Sequence, residues 1–142
     1  MEYISHSVSE TEAIGEALGR TLSPGTVLAY RGDLGMGKTA FTRGLMRGLG
    51  AGDVVSSPTF AIVNEYQGRL TVEHFDMYRV TSWDDLYSTG FFDYLDTDRV
   101  LVIEWSENIA EALPEGTVTI AIAPGEGETQ RVITITGWKG EL

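Results

Sequence analysis

Eight consecutive residues, Gly32-Asp33-Leu34-Gly35-Met36-Gly37-Lys38-Thr39, fit the pattern G-x-x-x-x-G-K-[ST] without a gap. Each position has a chemical reason. Glycines at 32, 35 and 37 allow backbone angles and close approaches that a Cβ would block. Successive N–H groups then turn inward and form a concave anion nest. A helix opening near Lys38 adds the positive end of its dipole to the same place. The Lys38 ammonium reaches for β- and γ-phosphates, and the Thr39 hydroxyl is a ligand for Mg²⁺. The residues expected to touch the nucleotide here are Asp33, Leu34, Gly35, Met36, Gly37, Lys38, Thr39 and Ala40.

Such a loop needs a carboxylate for Mg²⁺, usually at the end of a neighbouring parallel strand. Glu104 ends the apolar run Val100-Leu101-Val102-Ile103 and stands in that place. Asp76 ends a second strand and is the other candidate. Glu104 is preferred because its strand reads as central. Thr59 follows Ser57-Pro58 and is a candidate sensor of the γ-phosphate, although Ser-Pro-Thr also occurs in ordinary turns. Taken alone, His74 near a strand end reads as structural, Arg79 as a surface charge and Trp105 as core. The two histidines, His6 and His74, lie too far apart in the chain to suggest zinc, and there is no G-x-S-x-G elbow.

The elements that must position these groups alternate between strand and helix. The pattern Ser9-x-x-Glu12 predicts a capping box opening the first helix, which Ser23-Pro24-Gly25 ends. Thr26 to Tyr30 reads as a buried strand leading into the glycine-rich loop. A helix from Lys38 to Leu49 follows, with Gly50 at its end. Phe60 to Tyr66 and Leu70 to Phe75 predict an antiparallel hairpin at a sheet edge. Ser82 is expected to cap a short helix ended by Gly90, and another helix is expected around Asn108 to Leu113. Residues 100–103 predict a strand buried on both faces. Thr117 to Ala123 and Arg131 to Thr136 complete the set. The whole predicts one α/β domain over residues 1–142, with a mixed, mainly parallel sheet and an antiparallel hairpin.

Composition narrows the classes. The formal net charge is −11, and Lys38 and Lys139 are the only lysines. Binding to nucleic acid relies on Lys and Arg displacing counterions from phosphates, so high-affinity autonomous binding of DNA or RNA is not expected. No apolar run approaches a membrane span, the first residues have no secretory pattern, and there is no cysteine. A cytoplasmic location is expected. No [NT]-K-x-D base-reading motif exists, because the second lysine sits in Trp138-Lys139-Gly140-Glu141. That favours ATP over GTP. A small-molecule kinase would need an arginine-bearing lid, yet Arg99 is the only arginine between Arg79 and Arg131. A slow ATPase assisted by a partner fits better, with a nucleotide-loaded binding module as the rival from another class.

Four segments, the phosphate loop, Ser57-Pro58-Thr59-Phe60, His74-Phe75-Asp76-Met77-Tyr78-Arg79 and Ile103-Glu104-Trp105, occur in this order and spacing. Together they resemble the TsaE (YjeE) family, the ATPase component of bacterial tRNA threonylcarbamoyladenosine (t⁶A) biosynthesis. The resemblance implies a three-layer P-loop NTPase-like fold, ATP and Mg²⁺ as cofactors, and partnership with a TsaD–TsaB heterodimer that performs the transfer to tRNA. It implies that Lys38 and Thr39 hold phosphate and metal, that Thr59 and Asp76 lie in switch-like segments, and that Glu104 is the metal-side acid. It also implies Trp105 beside the site and Thr11 or Glu12 near the adenine. The family often has proline after the Glu-Trp pair, whereas this chain has Ser106-Glu107. Without proline's fixed φ that turn stays unassigned, while metal binding is unaffected.

Overall fold

The computed structural model describes residues 1–31, 37–51 and 63–138. Seven strands form one sheet: β1 (Glu2–Ser5), β2 (Val27–Arg31), β3 (Val63–Tyr66), β4 (Val72–Asp76), β5 (Val100–Glu104), β6 (Val118–Pro124) and β7 (Arg131–Thr136). Their order is β1-β7-β6-β2-β5-β4-β3. The four inner strands β6, β2, β5 and β4 run parallel, whereas β1, β7 and β3 pair antiparallel at the two sides. Parallel and antiparallel pairings are thus equal in number, not mainly parallel as the sequence suggested. The difference comes largely from β1, an edge strand of four residues whose pairing with β7 leaves no alternating signature in Glu2-Tyr3-Ile4-Ser5.

Helices α1 (Val8–Thr21) and α2 (Lys38–Gly48) cover one face. The short helices α3 (Trp83–Ser88) and α4 (Phe91–Tyr94) and a 3₁₀ segment (Ser106–Ala112) cover the other. Alternation along each strand explains the split. Leu28, Tyr30, Val72, Val100 and Val102 join Leu18, Phe41 and Leu45 in one core, while Val27, Phe75, Leu101 and Ile103 join Leu86, Phe91 and Ile109 in the other. Strand β5 is buried along its whole length, as its unbroken apolar run requires.

The first helix starts two residues earlier than its capping-box pattern implies. Ser7 is the cap, and its side chain accepts from the Glu10 amide, so Ser9 lies inside the helix. Glu12 does not reach back to an amide. Its Oε1 takes a 2.7 Å hydrogen bond from Arg43 Nη1 on α2. The two helices can approach this closely because glycine stands at the crossing. A Cβ on Gly44 would overlap the Glu12 carbonyl, and one on Gly15 would overlap the Phe41 carbonyl. Ser82 does cap α3, accepting from the Asp85 amide.

Candidate functional site

Strand β2 delivers the chain to the phosphate-loop octet, and α2 carries it away. Gly37 adopts φ 99° and ψ 8° and immediately precedes α2 without a side-chain cap. Its added Cβ would meet only ordinary contacts with Ile122 and Thr11, so the positive φ is what demands glycine. The amides of the first turn therefore begin where the G-K-T sequence places them, at Lys38. Two hydroxyls fix this turn from below. The Thr42 hydroxyl donates to the Lys38 carbonyl at 2.7 Å and lies 2.6 Å from the Tyr30 hydroxyl. Burial raises the Tyr30 phenol well above its usual range, and the negative charge of Glu104 adds to the rise. That phenol stays neutral and serves as a hydrogen-bonding post.

Lys38 is nearly buried, and its Nζ lies 5.8 Å from the centre of the Trp105 ring. Trp105 follows Glu104 in a left-handed conformation, φ 59° and ψ 40°. For a bulky residue this costs about 1 kcal/mol. The neighbouring ring of Tyr78 packs 4.9 Å from it. Ser106 then donates to the Tyr30 carbonyl at 2.8 Å and is fully buried. This chain thus ties the turn after Trp105 to β2 through a hydroxyl.

The two acidic candidates come together. Asp76 and Glu104 occupy paired positions at the carboxyl ends of β4 and β5, so both side chains leave the same face of the sheet. Asp76 is half-buried, and its Oδ1 accepts from the Tyr78 amide at 2.9 Å. Glu104 is buried, and its Oε2 lies 2.9 Å from His74 Nε2. His74 was read from the sequence as structural. The His-x-Asp spacing puts His74 on the face of Asp76, since two residues along a strand return to the same side, but its partner Glu104 comes only from the pairing with β5. Thr39 is exposed at the mouth, and Ala40 is buried beneath it. Thr11 is buried, with its hydroxyl 2.7 Å from the Ser5 hydroxyl and its methyl facing Gly37. Asp33, Leu34, Gly35, Met36 and Thr59, with the other residues of 32–36 and 52–62, lie outside the described residues.

Among the described residues no group of three His, Cys, Asp or Glu side chains could cage a metal. What the described residues offer is two carboxylates at neighbouring strand ends, Asp76 and Glu104, hard oxygen donors of the kind Mg²⁺ takes together with waters and substrate phosphates. A cavity of about 610 Å³ opens at the other end of the strands, by Pro24, Asp96, Pro114 and Trp138. It lies away from the carboxyl edge where open α/β sheets place their ligands.

A family model described as "Threonylcarbamoyl adenosine biosynthesis protein TsaE" matches residues 5–133. The chain belongs to the TsaE family. It is 42% identical over 122 residues to the tRNA threonylcarbamoyladenosine biosynthesis protein TsaE of Treponema pallidum, covering 86% of this chain and 90% of that one. The TsaE of Bacillus subtilis is 41% identical over 128 residues, covering 89% and 79%. In three dimensions the chain is similar to a crystal structure of Bacillus subtilis YdiB, with TM-score 0.76 and 34% identity over 95% of this chain and 83% of the other. Among the described residues, no helix of this TsaE-family chain is long and apolar enough to cross a membrane.

Proposed function

We propose that this chain is the ATP-binding and slowly hydrolysing component of a t⁶A37 tRNA-modification system, a cytoplasmic P-loop ATPase that resets or regulates a TsaD–TsaB heterodimer. The observation that carries the reading is the uncapped start of α2 at Lys38, beside Asp76 and Glu104 at the ends of β4 and β5. Residues 32–39 cradle the phosphates with backbone amides and the Lys38 ammonium. Thr39 and Glu104 hold Mg²⁺, which when bound neutralises charge on the β- and γ-phosphate oxygens. Asp76 orients the attacking water, and Thr59 senses the γ-phosphate. Thr11 contributes to the nucleotide pocket. The net charge of −11 supports a division of labour in which the partners hold the tRNA.

Replacing Lys38 removes the charge that meets the phosphates while Gly37 still leads into α2. Lys38→Ala is therefore expected to abolish ATP binding by calorimetry with the far-ultraviolet circular dichroism unchanged; undiminished affinity contradicts the assignment. Phosphate release should rise when TsaD–TsaB is added and collapse in Glu104→Ala. No stimulation together with indifference to Glu104→Ala would instead mean a nucleotide-loaded binding module.

A further inference from the structure

We infer that His74 is a positioning residue for Glu104, holding the carboxylate through Nε2 so that it sets the Mg²⁺ affinity of the site more than its nucleotide affinity. The inference rests on the nucleotide reading above and adds a residue to it. His74 is 2% exposed and Glu104 is 7% exposed, and they face each other at 2.9 Å across the β4–β5 pair. The register makes the contact unavoidable. His74 lies opposite Val102, two residues before the Asp76–Glu104 pair, and so shares their face.

The hydrogen bond has one sense. An ionised carboxylate only accepts, so the ring must carry its proton on Nε2. Nδ1 is buried and has no hydrogen-bond partner among the described residues, which makes a proton there unfavourable. The ring packs 6.3 Å from Tyr66, at an angle of 39° between the planes. A polar pair of this kind holds the core together no better than well-packed apolar side chains would. What an apolar pair could not do is fix the direction of a carboxylate at the strand edge beside Asp76. Ligating carboxylates are commonly held in this way by an outer partner.

The test uses the full-length protein and ATPγS, followed by calorimetry in EDTA and across a Mg²⁺ titration. In His74→Leu the half-saturating Mg²⁺ should rise about 10-fold or more, while affinity in EDTA stays within about 2-fold. His74→Gln, whose amide extends toward the Nε2 position, should recover most of the shift. In a Glu104→Ala background, His74→Leu should change the Mg²⁺ midpoint no further, because the two residues act as one unit. Should His74→Leu fail to fold, His74→Asn, whose shorter amide ends near the Nδ1 position, replaces it against His74→Gln. An unmoved midpoint, equal impairment of the Gln and Leu variants, or additive effects with Glu104→Ala would overturn the inference. Failure of the wild-type chain to bind ATPγS would instead overturn the nucleotide reading itself.

Discussion

On one face of the sheet α1 and α2 cross with backbone against backbone, and glycines at 15 and 44 leave no room for a side chain between them. On the other face the helices are short and meet the strands through rings: Phe75 lies 5.8 Å from both Phe91 and Tyr94, edge-on. Adjacent residues of β4 carry the contrast into polar chemistry. His74 points to the helix-pair face and engages Glu104 at the carboxyl edge. Glu73 points to the ring face, where Arg99 bridges it to Glu65 at 2.5 and 2.6 Å and stacks 5.5 Å from Tyr94. One buried charge sits at the candidate site, and the other ties the edge strand β3 to the sheet. A close-packed helix pair holds α2, and with it the first turn at Lys38, in one place. The ring face reaches the site through Trp105, which packs against that core beside Lys38, while Phe91 and Tyr94 lie against Phe75.

The sharpest way to break this contrast is Gly44→Ala. The new methyl cannot fit without parting α1 from α2, so a loss of about 4 kcal/mol in urea unfolding is expected. ADP affinity of the remaining folded protein should fall as well. Tolerance within about 1 kcal/mol would mean that the helices are not locked at this crossing.

Phe91→Ala should cost about 3 kcal/mol by leaving a cavity among the rings. Its ADP affinity, measured well below the unfolding transition, should match the wild type. A matching loss of affinity in this variant would erase the functional difference between the faces.

The smallest effect concerns Glu73, whose carboxyl is pushed up to about 7 by burial and by the nearby Glu65, against the pull of Arg99. Below the ordinary carboxyl value of 4.5 both folded and unfolded chains hold the proton. Between 4.5 and about 7 only the folded chain keeps it, so stability falls as pH rises through this window. Glu73→Gln removes the titration. Its stability relative to wild type should therefore improve between pH 5 and pH 8, by on the order of 2 kcal/mol. Parallel curves for the two proteins would show that Arg99 keeps Glu73 ionised throughout.

Signals written in contiguous residues were legible. Val100 to Ile103 declared a strand buried on both faces, Ser82 declared a cap, and Gly37-Lys38-Thr39 declared a helix start. Ser7 is obscured because Ser7-x-x-Glu10 and Ser9-x-x-Glu12 spell the same pattern, and only packing, which sends the Glu12 carboxylate to Arg43, decides between them. Strand β1 was missed because four residues at an edge draw their order from β7 at the far end of the chain, Glu2 lying opposite Thr134 and Ser5 opposite Arg131. His74 and Glu73 were opaque for a related reason. Their partners, Glu104, Arg99 and Glu65, are set by strand pairing and not by local spacing.

The sequence alone pointed to the kind of chemistry on offer: a glycine-rich G-x-x-x-x-G-K-T octet with one lysine, two acidic strand ends, and a net charge that disfavours nucleic acid. Those properties follow from residue type and from spacing within single elements. Only the tertiary structure decided which acidic residues meet, that a histidine holds one of them, and that a pair of glycine-notched helices fixes the loop's exit. Parallel pairing joins strands distant in the chain, and the register between them is a long-range choice that no local window contains.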